Sequence, residues 1–188
     1  FATHNQNKCN EIDAMVGDKF EIQTLDNVGI TEEIPEDGDT FKANALIKAK
    51  YVYDKLNCDC FADDSGLMVD ALGGEPGIYS ARYAGEPCDM KRNIEKLLAK
   101  LEGVKNRKAK FHTSIALIID GEIKYFEGEI YGVIIDELRG DNGFGYDPIF
   151  VPDGYDKTFA ELDSEIKNAI SHRAVAVKKL TTYLKGNF

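Results

Sequence analysis

Residues 108–120, KAKFHTSIALIID, and residues 122–135, EIKYFEGEIYGVII, are two long β-rich runs that meet at Asp120-Gly121. An Asp-Gly step between such runs signals a two-residue hairpin, because the favoured turn needs positive φ at both central positions. A chain carrying this hairpin must build around a long antiparallel pair and cover it. Helical spacing supplies the cover. Cys9, Ile12, Met15 and Val16 predict a helix over 7–16, and Phe41, Ala45, Ala49 and Val52 predict one over 40–56, after the acidic, turn-rich 26–39 whose EDGD caps it. Met90, Ile94, Leu97, Leu98 and Leu101 predict a helix over 89–101, and 163–185 reads as helical with Ser171 as an N-cap. Short strands are expected at 19–24, at CFAD (60–63), whose end would deliver Asp63 and Asp64 to an edge, and at IFV before the last helix. Phe1 and Ala2 read as the tail of a strand, and a start at Phe rather than Met suggests that a few residues precede it. The expected fold is α/β: a long central mixed or antiparallel sheet flanked by helices, in one domain over 1–188, with two lobes and an active-site cleft between them.

A length of 188 residues allows one domain with a full core or two closely joined lobes. The formal charge of −10 argues against broad binding to nucleic acid or to an anionic membrane, which call for a basic surface. It leaves room for a small anionic ligand met by a few local cations, amide N–H groups or a divalent ion. No stretch is long and apolar enough to span a bilayer, and no signal peptide is evident. Cys9, Cys58, Cys60 and Cys88 show no zinc or redox spacing, which suits buried or incidental thiols in a reducing cytoplasm.

Five segments carry chemistry-bearing residues. THNQNK (3–8) would lie between a strand and a helix, where free N–H groups and Lys8 can meet an anion. In TFKANALIKAK (40–50), Asn44 and Lys48 stand four apart on one helical face. ADDSG (62–66) sets an aspartate where it can bind Mg2+ or draw a proton from water. GFGYDP (143–148) keeps the backbone slim around Phe144 and Tyr146, so that a ring face can meet a flat base, with Asp147 beside it. KNAISHR (167–173) gathers Lys167, Ser171, His172 and Arg173. Each segment alone fits a cap, a solvated face, a turn or a core loop better than a site. Together they match the phosphates, metal and base of a nucleoside triphosphate.

The order of these segments resembles the inosine triphosphate pyrophosphatase family. The resemblance rests on T-x-N-x-x-K (3–8), TF-x-x-NA-x-x-KA (40–49), ADDSGL (62–67), PGIYSARYAG (76–85), FGYDP (144–148) and SHR (171–173), and runs over essentially the whole chain. It implies a dimeric, Mg2+-dependent enzyme that cleaves ITP, dITP and XTP between the α and β phosphates. Carried onto this sequence, Asp64 would be general base and metal ligand, with Asp63 in support. Thr3, His4, Asn5, Gln6, Asn7, Lys8 and Ser65 would hold the triphosphate, with Lys48 helping. Phe144 and Tyr146 would flank the base, with Gly145 between them, while Asp147, Lys167, His172 and Arg173 would read its edge. The family often carries Glu just before the Asn of TF-x-x-NA, where this chain has Ala43; Glu36, in PEDG, is the candidate replacement ligand. Two other readings share these residues: a pyrophosphatase for pyrimidine or modified nucleotides, and a catalytically silent nucleotide-binding protein.

Overall fold

The structure, a computed structural model, describes residues 1–16 and 20–187, and the side chains of Asn7, Lys8, Glu11, Ala14 and Met15 lie outside the description. The chain divides into two compact units: residues 1–64, 113–127 and 175–188 form the first, and residues 65–112 and 128–174 the second. A four-stranded sheet has the order β1-β2-β3-β4, with β1 at Cys60–Val69, β2 at Lys108–Ile119, β3 at Glu122–Ile134 and β4 at Phe150–Pro152. The hairpin forms as expected. Asp120 and Gly121 sit at φ 50° and 78°, the left-handed pair that the Asp-Gly turn requires. Strand β4 pairs antiparallel with the end of β3, Val133 opposite Val151.

In the first unit both sheet faces are covered, which is why Ser114–Ile119 is buried without alternation. Cys60, Ala62, Ala116 and Ile118 pack with Ala45, Ala49 and Val52 of helix α2, Phe41–Leu56. Phe61, Ile115, Leu117 and Ile119 pack instead with Ile12 and Val16 of helix α1, Gln6–Val16, and with Ala176, Val177, Leu180 and Leu184 of the C-terminal helix. Thr40 is the N-cap of α2, its hydroxyl accepting from the Ala43 N–H at 3.0 Å, so one residue after EDGD does the capping. Met15, expected on the apolar face of α1, lies outside the described side chains.

The second unit buries one face of the hairpin base. Ala109 and Phe111 join Leu67, Val69, Phe150, Phe159 and the apolar face of helix α3, Met90–Lys100, in one cluster. Asp89 caps α3 by accepting from the Arg92 N–H. The intervening positions point elsewhere: Glu129 accepts from Lys110 at 2.8 Å and from Tyr131 at 2.7 Å, and pairs with the His112 ring at 2.8 Å. Alternation therefore returns where only one face is apolar.

Four expectations change. Residues 20–24 form no strand, and Lys19 lies outside the described residues. The segment is held by isolated bonds, the Phe1 amino group to the Gln23 carbonyl and the Leu25 N–H to the Thr3 carbonyl, so its alternating pattern marks half-burial without a ladder. Phe1 and Ala2 likewise stand outside any strand, although the Ala2 N–H reaches the Phe61 carbonyl at 2.8 Å. The strand expected over 60–63 does not end at the aspartates: β1 runs on through Asp63, Asp64 and Ser65 to Val69, because Leu67 and Val69 bury fully beyond them. The C-terminal helix is two helices, α4 at Ser164–Ile170 and α5 at His172–Asn187, broken at Ser171. Ser171 has extended backbone and its hydroxyl accepts from the Ala174 N–H at 3.2 Å, which starts α5 as the cap expected of it. Among the described residues, no helix is long and apolar enough to cross a membrane.

Candidate active site

In the first unit, residues 3–5 form the turn and Gln6 already begins α1. Thr3 braces the turn, its hydroxyl accepting from the Asn5 N–H at 3.1 Å. His4 pairs with Asp26 at 2.9 Å, and that hydrogen bond raises the His4 pKa above its usual value. His4, Asn5 and Gln6 are exposed, and the Gln6 amide donates to Asn10. Asn7 and Lys8 lie in the first turn of α1, and their side chains are among those not described. The expected loop over 3–8 is thus a three-residue turn followed by a helix start.

The acidic pair sits in mid-strand, Asp63 buried and Asp64 and Ser65 partly so. Asn44, fully buried on α2, donates its amide to Asp64 Oδ2 at 3.1 Å. One turn along the helix, Lys48 Nζ meets Glu36 Oε1 at 2.5 Å. The shared face of Asn44 and Lys48 is therefore an inward face turned to carboxylates. Ala43 packs closely on the preceding turn: a Cβ placed on Gly38 would lie 2.9 Å from that of Ala43. Among the described residues, no three His, Cys, Asp or Glu side chains gather at metal-binding spacing. Mg2+ does not require such a cage, since it usually retains waters and takes one or two carboxylates together with substrate phosphates. Asp64 and Glu36 are donors of the right kind.

In the second unit, the loop 143–147 builds a platform. Asp147 is buried, and its Oδ2 accepts from the Phe144 N–H at 2.9 Å and from Lys167 Nζ at 2.5 Å. Lys167 lies 5.0 Å from the centroid of the Phe144 ring, which is 59% exposed. Gly143, at φ 77°, lets this loop close: a Cβ there would fall 2.1 Å from Asp147 Oδ2. Tyr146 behaves differently from Phe144. Its ring is in the core at 4% exposure, its hydroxyl donates to the Ser80 carbonyl at 2.8 Å, and burial pushes its pKa up. A ring so enclosed has no face to offer a base, so the expected pair of flanking aromatics reduces to Phe144 on a loop anchored by Tyr146.

PGIYSARYAG supplies that anchor. Ser80 accepts from the Leu67 N–H at 2.9 Å and donates to the Gly77 carbonyl at 2.6 Å. Asn93 of α3 donates to the Ala81 carbonyl and accepts from the Ala84 N–H. Asn93 does not stand out as a site residue in the sequence, and Asn44 stands out there only for the helical face it shares with Lys48; a buried amide inside an otherwise apolar helix face was the available signal for both. KNAISHR is split by the helix break, with Lys167 on α4 and His172 and Arg173 opening α5. His172 is buried and stacks on Phe111, centroids 4.9 Å apart and planes at 15°. A hollow of about 410 Å3 in the first unit, lined by Phe1, Ile22, Leu25, Cys60, Phe61 and Leu117 among others, takes in none of these groups and is mostly apolar.

This is a mixed α/β protein equipped with a carboxylate pair, an exposed aromatic ring and cations, set among partly buried hydrogen bonds. The chain belongs to the Ham1 family, whose model matches residues 1–183. It is 51% identical over 185 residues to a dITP/XTP pyrophosphatase of Porphyromonas gingivalis, covering 98% of this chain and 95% of that protein. It is 49% identical over 188 residues to a dITP/XTP pyrophosphatase of Bacillus subtilis, with 98% and 95% covered. Among solved structures, the Ham1 protein of Staphylococcus aureus superposes with a TM-score of 0.94 at 43% identity, covering 99% of this chain and 97% of that one. A HAM1 protein from Coxiella burnetii gives a TM-score of 0.91 at 39% identity, with 98% and 96% covered.

Proposed function

We propose that this protein hydrolyses non-standard purine nucleoside triphosphates, dITP, ITP and XTP, to the monophosphate and pyrophosphate. The observation that carries this reading is the Phe144–Lys167–Asp147 platform, an open ring beside a cation held by a buried acceptor, in a chain about half identical to proteins bearing that activity in their names. Donors aimed at a 6-keto oxygen favour hypoxanthine and xanthine, while the 6-amino group of adenine leaves them unpaired. Lys167, His172 and Arg173 are the donors for that edge, Phe144 and the 144–147 backbone the bed for the ring, and Tyr146 its anchor. Thr3, His4, Asn5, Gln6, Asn7, Lys8 and Ser65 take the phosphates, with Lys48 holding Glu36.

In the reaction, water attacks the α-phosphorus, the bond from that phosphorus to the bridging oxygen breaks, and pyrophosphate leaves. Asp64 accepts the proton from the attacking water. Lys8 and the N–H groups opening α1 meet the charge that grows on the leaving group. Mg2+, held by Asp64 and Glu36 with the substrate's own phosphates, would supply neutralising charge. The protein acts as a homodimer in the cytoplasm, a setting that suits four free cysteines, two of them buried and raised in pKa by that burial.

A panel of triphosphates incubated with Mg2+, reading monophosphate and pyrophosphate, tests the reading. dITP and XTP should lead, with dUTP, dTTP, UTP and ATP far behind; strong turnover of ATP with none of dITP overturns it. Asp64→Asn should lower kcat by roughly 10²–10⁴. Turnover within about threefold of wild type would remove Asp64 from its role.

A further inference from the structure

We infer that Asn44 is a positioning residue for the reaction, a single amide that orients the Asp64 carboxylate and docks the acidic turn bearing Glu36. This rests on the role proposed for Asp64. Asn44 is 0% exposed and its two amide atoms meet different partners. Its Oδ1 accepts from the Gly38 N–H at 2.8 Å, and its Nδ2 donates to Asp64 Oδ2 at 3.1 Å. The Gly38 N–H can only donate, so the atom facing it must be the amide oxygen. The atom facing Asp64 is then the NH2 group, and Asp64 Oδ2 is held as an acceptor. That assignment follows from chemistry and restrains the carboxylate's rotation about its last bond.

The same side chain holds the turn. Gly38 packs against the start of α2 so closely that a Cβ on it would lie 2.7 Å from Asn44 Oδ1 and 3.0 Å from the Asn44 nitrogen. Thr40 closes the turn onto the Ala43 N–H, and Lys48, one helical turn on, ties down Glu36. Asn44 thus links the segment carrying Glu36, Asp37 and Asp39 to the strand carrying Asp64. With Ala at position 43, no acid on α2 itself stands at that place, and Glu36 and Asp64 are met at their carboxylates by Lys48 and Asn44. Partners behind the groups that meet a metal or a reacting water commonly matter 10–100-fold in affinity or rate.

The test compares wild type, Asn44→Ala and Asn44→Asp by dITP kinetics, thermal unfolding, and Mn2+ titration of the nucleotide-free protein by electron paramagnetic resonance. Asn44→Ala removes both bonds; it should weaken Mn2+ binding about tenfold and cut kcat by about 10–100-fold, with KM within about threefold. Asn44→Asp keeps the shape and the acceptor for Gly38 while replacing the donor that faces Asp64. It sets a buried carboxyl against Asp64, so it should unfold several degrees below wild type while remaining folded, and lose at least about tenfold in kcat, which keeps the question answerable if Asn44→Ala does not fold. A role confined to packing lowers the unfolding temperature and leaves kcat alone. A folded Asn44→Ala or Asn44→Asp with kcat within about threefold of wild type, or failure of Asn44→Asp to fold, overturns the inference. Wild type inactive on every triphosphate overturns the proposed function, and this inference with it, so the two failures read differently.

Discussion

Gly143→Ala is the sharpest perturbation of the platform. Gly143 sits at φ 77°, where an L side chain costs about 1–2 kcal/mol in backbone strain. The new methyl would also lie 2.1 Å from Asp147 Oδ2 and 3.0 Å from both Asp147 Cγ and Lys167 Nζ. The Asp147 side chain is 7% exposed and has no solvent to swing into, so its bonds to Lys167 and the Phe144 N–H must stretch or break. A charge-assisted hydrogen bond is worth about 1.5–3 kcal/mol. Gly145, at φ 61° in the same loop, has nothing within 4 Å of its would-be Cβ and serves as the control. Gly145→Ala carries the backbone term alone; Gly143→Ala carries that term and the steric one. The expected difference is about 1.5–3 kcal/mol, or about 3–12 °C in Tm at roughly 2–4 °C per kcal/mol for a chain of this size. Thermal unfolding of both variants gives the comparison, and KM for dITP should rise with Gly143→Ala. Equal Tm values for the two variants would refute the reasoning, because they would show that Asp147 yields freely.

Tyr146→Phe removes the hydroxyl that meets the Ser80 carbonyl and should lower unfolding stability by about 1 kcal/mol in denaturant titration. His4 should titrate above its ordinary pKa in nuclear magnetic resonance and return toward about 6.5 in Asp26→Asn. Because the folded value is the higher one, the pair's stabilisation is full below about pH 6.5 and fades as pH rises through the folded pKa.

The hairpin was legible because its signal is local: two β-rich runs and a turn whose chemistry permits one geometry. Helix α2 was legible for the same reason, four apolar residues on one stripe. The aspartates misled because local chemistry reads Asp-Asp-Ser-Gly as a place for a strand to stop, whereas burial of Leu67 and Val69 carries the strand through them. Nothing within residues 60–69 reveals that Asn44, twenty residues upstream, receives Asp64. Tyr146 misled in the opposite sense. A tyrosine that follows a glycine in a glycine-rich loop looks open, and only the Ser80 carbonyl, 66 residues away in sequence, shows where its hydroxyl goes. The break at Ser171 was half visible: its capping role could be read, but its consequence, a new helix axis for His172 and Arg173, could not.

The interleaving of the two units sets an order of assembly. Residues 65–112 and 128–174 complete the second unit before the last segment of the first unit has been synthesised. The first unit opens the chain, yet Ala176, Val177, Leu180 and Leu184, which cover one face of its sheet, come at the end. Domains on a growing chain generally fold from the N-terminus onward. Here the unit that emerges first closes last, and Phe61, Ile115, Leu117 and Ile119 must wait, uncovered by α5, until almost the whole chain exists.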